Sequence, residues 1–304
     1  VAPWETAAEL DAYRDEPPQM ASGTVGKNGY LRLGFRKRPQ RTILADLDRR
    51  VPLFVHKALY WDEAMPELAC VFLISTSSGI MQGDRGRIEI RVGEGARAHI
   101  TTQSNTQIHS MDANYAAQTQ EIVLEADAYL EYLPDPVCPH IGSRFFSETR
   151  ARVHPSATLL YSETLQPGRR HHRQDELFGY ELFSSRLTVE NPEGKTLMSE
   201  KILLQPRTHP LQHRLVMGPF EVFANVLVVT PPAQAQSILA ETPALYDPEA
   251  GLAAGVSVLP NQAGLLYKIL GRETAPVQER VRQFWATVRR VVLDKPTRPV
   301  FLWR

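Results

Sequence analysis

The sequence predicts a mainly β fold, a stack of strands followed by a few helices. Before Pro231 apolar and polar residues alternate at period two, and after it apolar residues recur at helical spacing. Between Arg87 and Leu165 the chain also repeats itself: an alternating strand, a tight turn and a second strand occur three times. The turns close on Ala96, Ala128 and Ala157, spaced by 32 and 29 residues. A period in this range marks a stacked architecture, in which each unit buries its apolar face only against its neighbours. A succession of hairpins in a sandwich is the other arrangement these residues allow.

Residues 1–22 form a polar N-terminal arm containing Pro17-Pro18. Trp4, Ala8 and Ala12 share one face of a short helix over Trp4 to Tyr13, so a docked arm and a disordered tail are both open. One body is expected over 23–304, with strands over about 23–230 and helices over about 233–293. Tyr30 to Arg36 places apolar residues at odd positions, the mark of a half-buried strand. Thr42 to Asp48 and Leu53 to Tyr60 follow as strands. Cys70 to Ser75 is continuously apolar and reads as buried on both faces. Past the repeats, Phe183 to Glu190, Thr196 to Leu204 and Phe220 to Val229 continue as strands, joined by turns such as Asn191-Pro-Glu-Gly194. The run Gly168 to Glu176, with three Arg and two adjacent His, reads as a solvated, mobile loop.

Ala233 to Glu241 reads as a short helix. Asn261 to Leu270 reads as another, with Leu265, Leu266, Ile269 and Leu270 on one side. A longer helix is capped by Thr274, with Pro276 in its first turn. Its apolar stripe is Val277, Val281, Phe284, Val288 and Val291, and Arg280, Arg282 and Arg289 fall elsewhere. The terminal Val300-Phe-Leu-Trp303 is apolar and needs cover from this chain or another.

Composition narrows the function. In 304 residues the formal net charge is zero, which argues against a nucleic-acid or anionic-membrane partner. Two cysteines, Cys70 and Cys138, make no disulfide framework, and the N-terminal residues lack a signal-peptide pattern, so a cytoplasmic setting is expected. No nucleophile elbow, zinc spacing, phosphate loop or dinucleotide fingerprint occurs, so no enzymatic activity of its own and no tightly bound cofactor are expected.

The polar residues that stand out lie at strand ends of successive repeats: Thr101, Thr102 and Ser104, then Glu131 and Asp135, then Ser162 and Glu163. Period two puts Glu163 on one face with Leu159, Tyr161 and Leu165. A carboxylate there needs a partner, an ion or water, unless the face is open to solvent. Asp84 ends the loop Ser77-Ser-Gly-Ile-Met-Gln-Gly-Asp84. It either brings a carboxylate to a site or bonds to its own loop.

Taken together, Ser78-Gly-Ile-Met-Gln-Gly-Asp84, Ile100-Thr-Thr-Gln-Ser-Asn-Thr-Gln-Ile-His109, Leu130-Glu-Tyr-Leu-Pro-Asp-Pro136, Leu160-Tyr-Ser-Glu-Thr-Leu-Gln-Pro-Gly-Arg169 and Glu176-Leu-Phe178 resemble the UreD family of urease accessory proteins, called UreH in some bacteria. They occur in that family's order and spacing, from about Gly29 to Trp303. Gln107 and Ser78 depart from it, standing where many members have Lys and Gly.

The resemblance implies a β-helix-like stack and a scaffold in urease maturation. Its partners would be apo-urease, the helical UreF and, through the complex, the GTPase UreG. It also implies an internal passage that carries nickel in transit. Residue by residue, Asp84, Thr102, Glu131 and Glu163 are the implied contacts for the moving ion, with His140 and Cys138 further candidates at positions where the family varies. Glu163 would stay ionised through water or a cationic neighbour. Arg169, Val300, Phe301 and Trp303 are the candidate partner contacts. Oxygen donors suit loose transit, whereas a closed His/Cys set would hold nickel too tightly. Two other readings remain at this stage: a polysaccharide-processing β-solenoid with a carboxylate pair, and a structural adaptor without an ion path.

Overall fold

The computed structural model describes residues 2–17 and 27–297. In chain order the strands are β1 Asn28–Lys37, β2 Thr42–Arg50, β3 Leu53–Phe54, β4 Ala69–Ser75, β5 Arg85–Val92, β6 Arg97–Thr102, β7 Thr106–Ile108, β8 Ala116–Leu124 and β9 Tyr129–Tyr132. Then come β10 Val137–Pro139, β11 Arg144–Val153, β12 Thr158–Leu165, β13 Leu182–Glu190, β14 Thr196–Leu204, β15 Val222–Val229, β16 Leu245–Asp247, β17 Leu252–Val258 and β18 Gly264–Gly271. The helices are α1 Pro3–Thr6, α2 Pro232–Ala240 and α3 Thr274–Leu293.

The strands form two mixed sheets. The first runs β14-β13-β11-β8-β5-β1-β2; the second runs β16-β17-β18-β15-β12-β9-β6-β4-β3, with β10 beside β12 and β7 beside β10. The three repeats explain the layout. Their first strands, β5, β8 and β11, are parallel neighbours in the first sheet, and their second strands, β6, β9 and β12, are parallel neighbours in the other. Each unit therefore crosses from sheet to sheet and stacks on the next, so its two strands are not a hairpin. The turns lock the stack: Tyr129 N donates to Ala96 O and Thr158 N to Ala128 O, each at 2.9 Å. Ala96, Ala128 and Ala157 are all buried there.

Alternation puts Leu31, Leu33, Phe35, Ile88, Ile90, Ile122 and Leu124 on the inner face of the first sheet, against Val71, Ile100, Leu130 and Leu159 of the second. The outer face of the second sheet is covered by α2 and α3. Val277, Val281, Phe284 and Val288 pack on Val226, Val228, Leu265, Tyr267 and Ile269. The expected apolar stripe of α3 is the face that packs.

Several expectations are corrected. The helical part expected over 233–293 also contains β16, β17 and β18. Asn261 to Leu270 is not a helix: β18 pairs antiparallel with β15 on one side and β17 on the other. Both of its faces are covered by apolar layers, and such a run has no periodicity to separate helix from strand. Only Leu53–Phe54 of the strand expected over Leu53 to Tyr60 forms. Glu273, not Thr274, is the N-cap of α3, without a side-chain cap; the Thr274 hydroxyl accepts from Gln166 Nε2 instead. The N-terminal arm is docked over residues 2–17. Leu10 is fully buried against Tyr115, Ala117, Phe146 and Leu182, on the outer face of the first sheet. Val300, Phe301 and Trp303 lie outside the described residues.

Candidate functional site

Along the inner faces of the sandwich the side chains change character. β11 presents Val153 and Ala151, then Thr149 and Ser147; β13 presents Val189 and Leu187, then Ser185; β12 presents Leu159, then Tyr161 and Glu163. Polar side chains facing inward at the same level of neighbouring strands leave a layer that cannot close as an apolar core. A cavity of about 640 Å³ lies there, between the starts of β5, β8 and β11 and the ends of β4, β6, β9 and β12. Asp84, Thr102, Gln118, Asp135, Ser147 and Glu163 are among the residues that line it.

Glu163 lines this cavity from β12. It also lines a second space of about 10 Å³ with Tyr161, Ser185, Glu200 and Asn225, room for about one water molecule. Tyr161 and Glu163 therefore stand between the two spaces. The Ser185 hydroxyl donates to the Glu163 carboxylate at 2.9 Å. Among the described residues no cation acts on Glu163, which leaves water as the expected means of keeping it ionised. Burial raises its carboxyl to about 7, the Ser185 bond opposes the rise, and the Glu200 carboxylate adds to it. Next to it the Tyr132 and Tyr161 rings stack at 5.1 Å, and burial pushes the Tyr132 hydroxyl up to about 12.

Asp84 faces the same cavity, but its carboxylate has work in the loop. Oδ1 accepts from Lys27 N and Oδ2 from Met81 N, each at 2.9 Å. The Thr102 hydroxyl accepts from Asp135 N at 2.9 Å, fixing the turn after β9. Glu131 does not line the cavity. Its side chain points to the other face of the second sheet, where it is completely buried and meets Arg289 of α3 through two bonds of 2.7 Å. His99 Nδ1 and the Tyr129 hydroxyl complete its partners at 2.8 Å. Burial alone would raise the Glu131 carboxyl; the Arg289 guanidinium reverses this and holds it well below the usual range.

His140 is buried beside Gln107, with Nε2 at 2.9 Å from Oε1. Burial, then Arg169 and His109, lower its imidazole to about 4. Cys138, also buried, is pushed up to about 11, first by burial and then by Glu176. Arg169 donates to Glu176, whose other oxygen accepts from Ile141 N at 3.0 Å. The basic loop is thus anchored through a buried glutamate, and only part of it, including His171 and His172, is exposed.

Asp84, Thr102 and Glu163 come together at one cavity; Glu131, His140 and Arg169 do not join them. Ser185, Thr149 and Gln120 also belong to the polar layer, and inward-facing polar residues in alternating strands are the sequence signal for them. Arg289 was set apart from the apolar stripe of α3, yet it is fully buried. The i, i+4 series Val277, Val281, Trp285, Arg289 would have found it.

A mainly β protein with a cavity between its two sheets, lined by polar and apolar side chains, is the class that fold and site define. The chain belongs to the family of UreD urease accessory proteins: the family model matches residues 27–304. It is 51% identical over 298 residues to the urease accessory protein UreD of Photorhabdus laumondii, covering 98% of this chain and 93% of the relative. It is 49% identical, with the same coverage, to UreD of Yersinia pseudotuberculosis. It is 48% identical to the urease accessory protein UreD 2 of Brucella canis, covering 98% of both chains. Among the described residues no helix is long and apolar enough to cross a membrane.

Proposed function

We propose that the chain acts in urease maturation as a scaffold without catalytic activity of its own. It joins apo-urease to a UreF-type protein and, through that protein, to a UreG-type GTPase, and its cavity passes nickel towards the urease site. The observation that carries this reading is that Asp84, Thr102 and Glu163 line one space of about 640 Å³ in a member of the UreD family. The donors there are oxygens, which suit weak and reversible contact with a divalent ion. Asp84 has both oxygens on backbone amides, so its part is to hold the loop and supply negative charge. Glu163, bonded through Ser185, keeps lone pairs for the ion and takes the central role. Glu131 is committed to Arg289 and stays outside the passage. Arg169 and the terminal Val300, Phe301 and Trp303 remain the proposed partner contacts.

The test is reconstitution of the complex with Gln118→Trp, which adds bulk to the cavity wall. With the complex intact by gel filtration, nickel per urease site should fall several-fold. Normal loading through the plugged cavity would overturn the passage. Deletion of residues 297–304 should weaken the UreF complex, and unchanged binding would remove the terminus from the contact.

A further inference from the structure

Beside the cavity two histidines are brought together by strand register. β7 and β10 pair in parallel with Ile108 opposite Pro139, so the next residues, His109 and His140, are neighbours. Their ring centres are 4.8 Å apart, with the planes at 71°. Each ring is held through Nε2. His140 Nε2 lies 2.9 Å from Gln107 Oε1, and His109 Nε2 lies 3.3 Å from the Ser78 carbonyl oxygen. Both partners are acceptor oxygens, so each Nε2 carries the proton and each Nδ1 keeps its lone pair. Among the described residues neither Nδ1 has a hydrogen-bond partner in the protein.

That is how an imidazole is prepared for a metal: the outer nitrogen is fixed by an oxygen acceptor and the inner one is left free. Two imidazoles bound to one ion at about 2.0–2.1 Å, with an angle between about 90° and 110°, have ring centres roughly 4.5–5.2 Å apart. The observed 4.8 Å falls inside that interval. The nearby Arg169 guanidinium is paired with Glu176, which offsets part of its repulsion of a cation. His140 is buried and His109 half-buried, which makes the His109 side the way in.

We propose that His109 and His140 form a two-imidazole site for a borderline divalent transition-metal ion, held through both Nδ1 atoms with water completing the coordination. Nitrogen donors favour nickel, copper or zinc over magnesium or calcium. Two protein ligands make the site weak and exchangeable. Ser78 and Gln107, which hold the two rings, also line the cavity, so an ion here sits at its rim. The site is defined by the imidazoles and does not depend on nickel passing Glu163.

The test uses the purified full chain, without urease. Copper(II) added at one equivalent should give an electron paramagnetic resonance spectrum with hyperfine coupling to two imidazole nitrogens. Nickel(II) titration should show one site whose affinity falls at least tenfold in His109→Phe and in His140→Phe. Gln107→Leu, which releases the His140 ring without removing a ligand, should weaken binding by about tenfold. If His140→Phe fails to fold, the half-exposed His109→Phe and Gln107→Leu decide the matter. Unchanged nickel affinity in folded His109→Phe, or a copper signal from the exposed histidines alone, would overturn the site. Because urease loading is not measured, failure here is distinct from failure of the passage.

Discussion

Arg289 on α3 and Glu131 on β9, 158 residues apart in the chain, form a two-bond ion pair from which solvent is excluded. Asp62 also accepts from Arg289, and His99 stacks on Trp285 of the same helix with ring centres 5.3 Å apart. The cluster ties the C-terminal half of α3 to the second sheet and to the turn around Asp62. Removing one partner of such a pair leaves a buried charge alone, at a cost of about 3–5 kcal/mol. Arg289→Met should therefore lower the denaturation midpoint strongly. Arg289→Met with Glu131→Gln should cost less than the two single changes added together. Strict additivity in urea melts would show that the pair does not act as a unit.

The N-terminal arm is held by one residue more than by its helical turns. Leu10 is fully buried, and beside it Glu9 accepts from Ser184 at 2.6 Å and pairs with Lys201 at 2.8 Å. Leu10→Ala should cost about 2–4 kcal/mol of arm docking. Because the arm lies on the outer face of the first sheet, the loss should be local. Limited proteolysis should then cleave the arm much faster while the melting of the body moves little. Equal cleavage rates in the variant and the parent would contradict this.

Much of this fold was legible in the sequence, for physical reasons that differ from element to element. The repeated alanines showed the stack because a buried turn position is sterically narrow wherever it recurs. The odd-numbered residues of β1 showed their face because only one side of that strand is buried. What period two does not encode is the partner. The two strands of each repeat look like a hairpin, but their hydrogen bonds go to different sheets. β18 has apolar residues on both faces and so carried no period at all. At the cavity, Glu163 was legible as a carboxylate among apolar neighbours, whereas Ser185 and Glu200, which adjust the effect of burial on its proton affinity, come from other strands. The Arg289 cluster was missed because a charge on a helix is read as solvated until a partner is known.

Gly264 marks where β18 begins, at φ +142°, a backbone region that side chains avoid. A Cβ there would stand 1.8 Å from Val228 O, on the neighbouring strand. Neither backbone is able to yield without breaking the β15–β18 pairing. Gly264→Ala should destabilise by about 3 kcal/mol or more, or prevent folding. Gly255, with open space around its Cβ position, is the control: Gly255→Ala should be nearly silent. Comparable melting of the two variants would sink the argument.

Glu163 makes the stability depend on pH in a direction that a surface carboxylate would not. In the unfolded chain its carboxyl titrates near 4.5, and in the fold near 7. Below the lower value both states are protonated and no penalty exists. As pH rises from there to about 7 the unfolded chain ionises first, so stability falls. Above that the folded protein holds a half-buried, desolvated carboxylate with Glu200 nearby, and the full penalty remains. Glu163→Gln keeps the Ser185 contact and cannot ionise. Its advantage should grow from nothing near pH 4 to on the order of 2–3 kcal/mol at pH 8. Urea melts of the two proteins at intervals across that range measure it, and a constant difference would mean that Glu163 titrates as if exposed. The same ionisation bears on the proposed passage, because a protonated carboxyl is a poor donor to a cation. In the reconstituted complex nickel loading should rise as pH passes 7, and Glu163→Gln should load poorly at every pH with the complex intact. Loading by Glu163→Gln that matches the parent would leave the carboxylate a source of instability without a part in transfer.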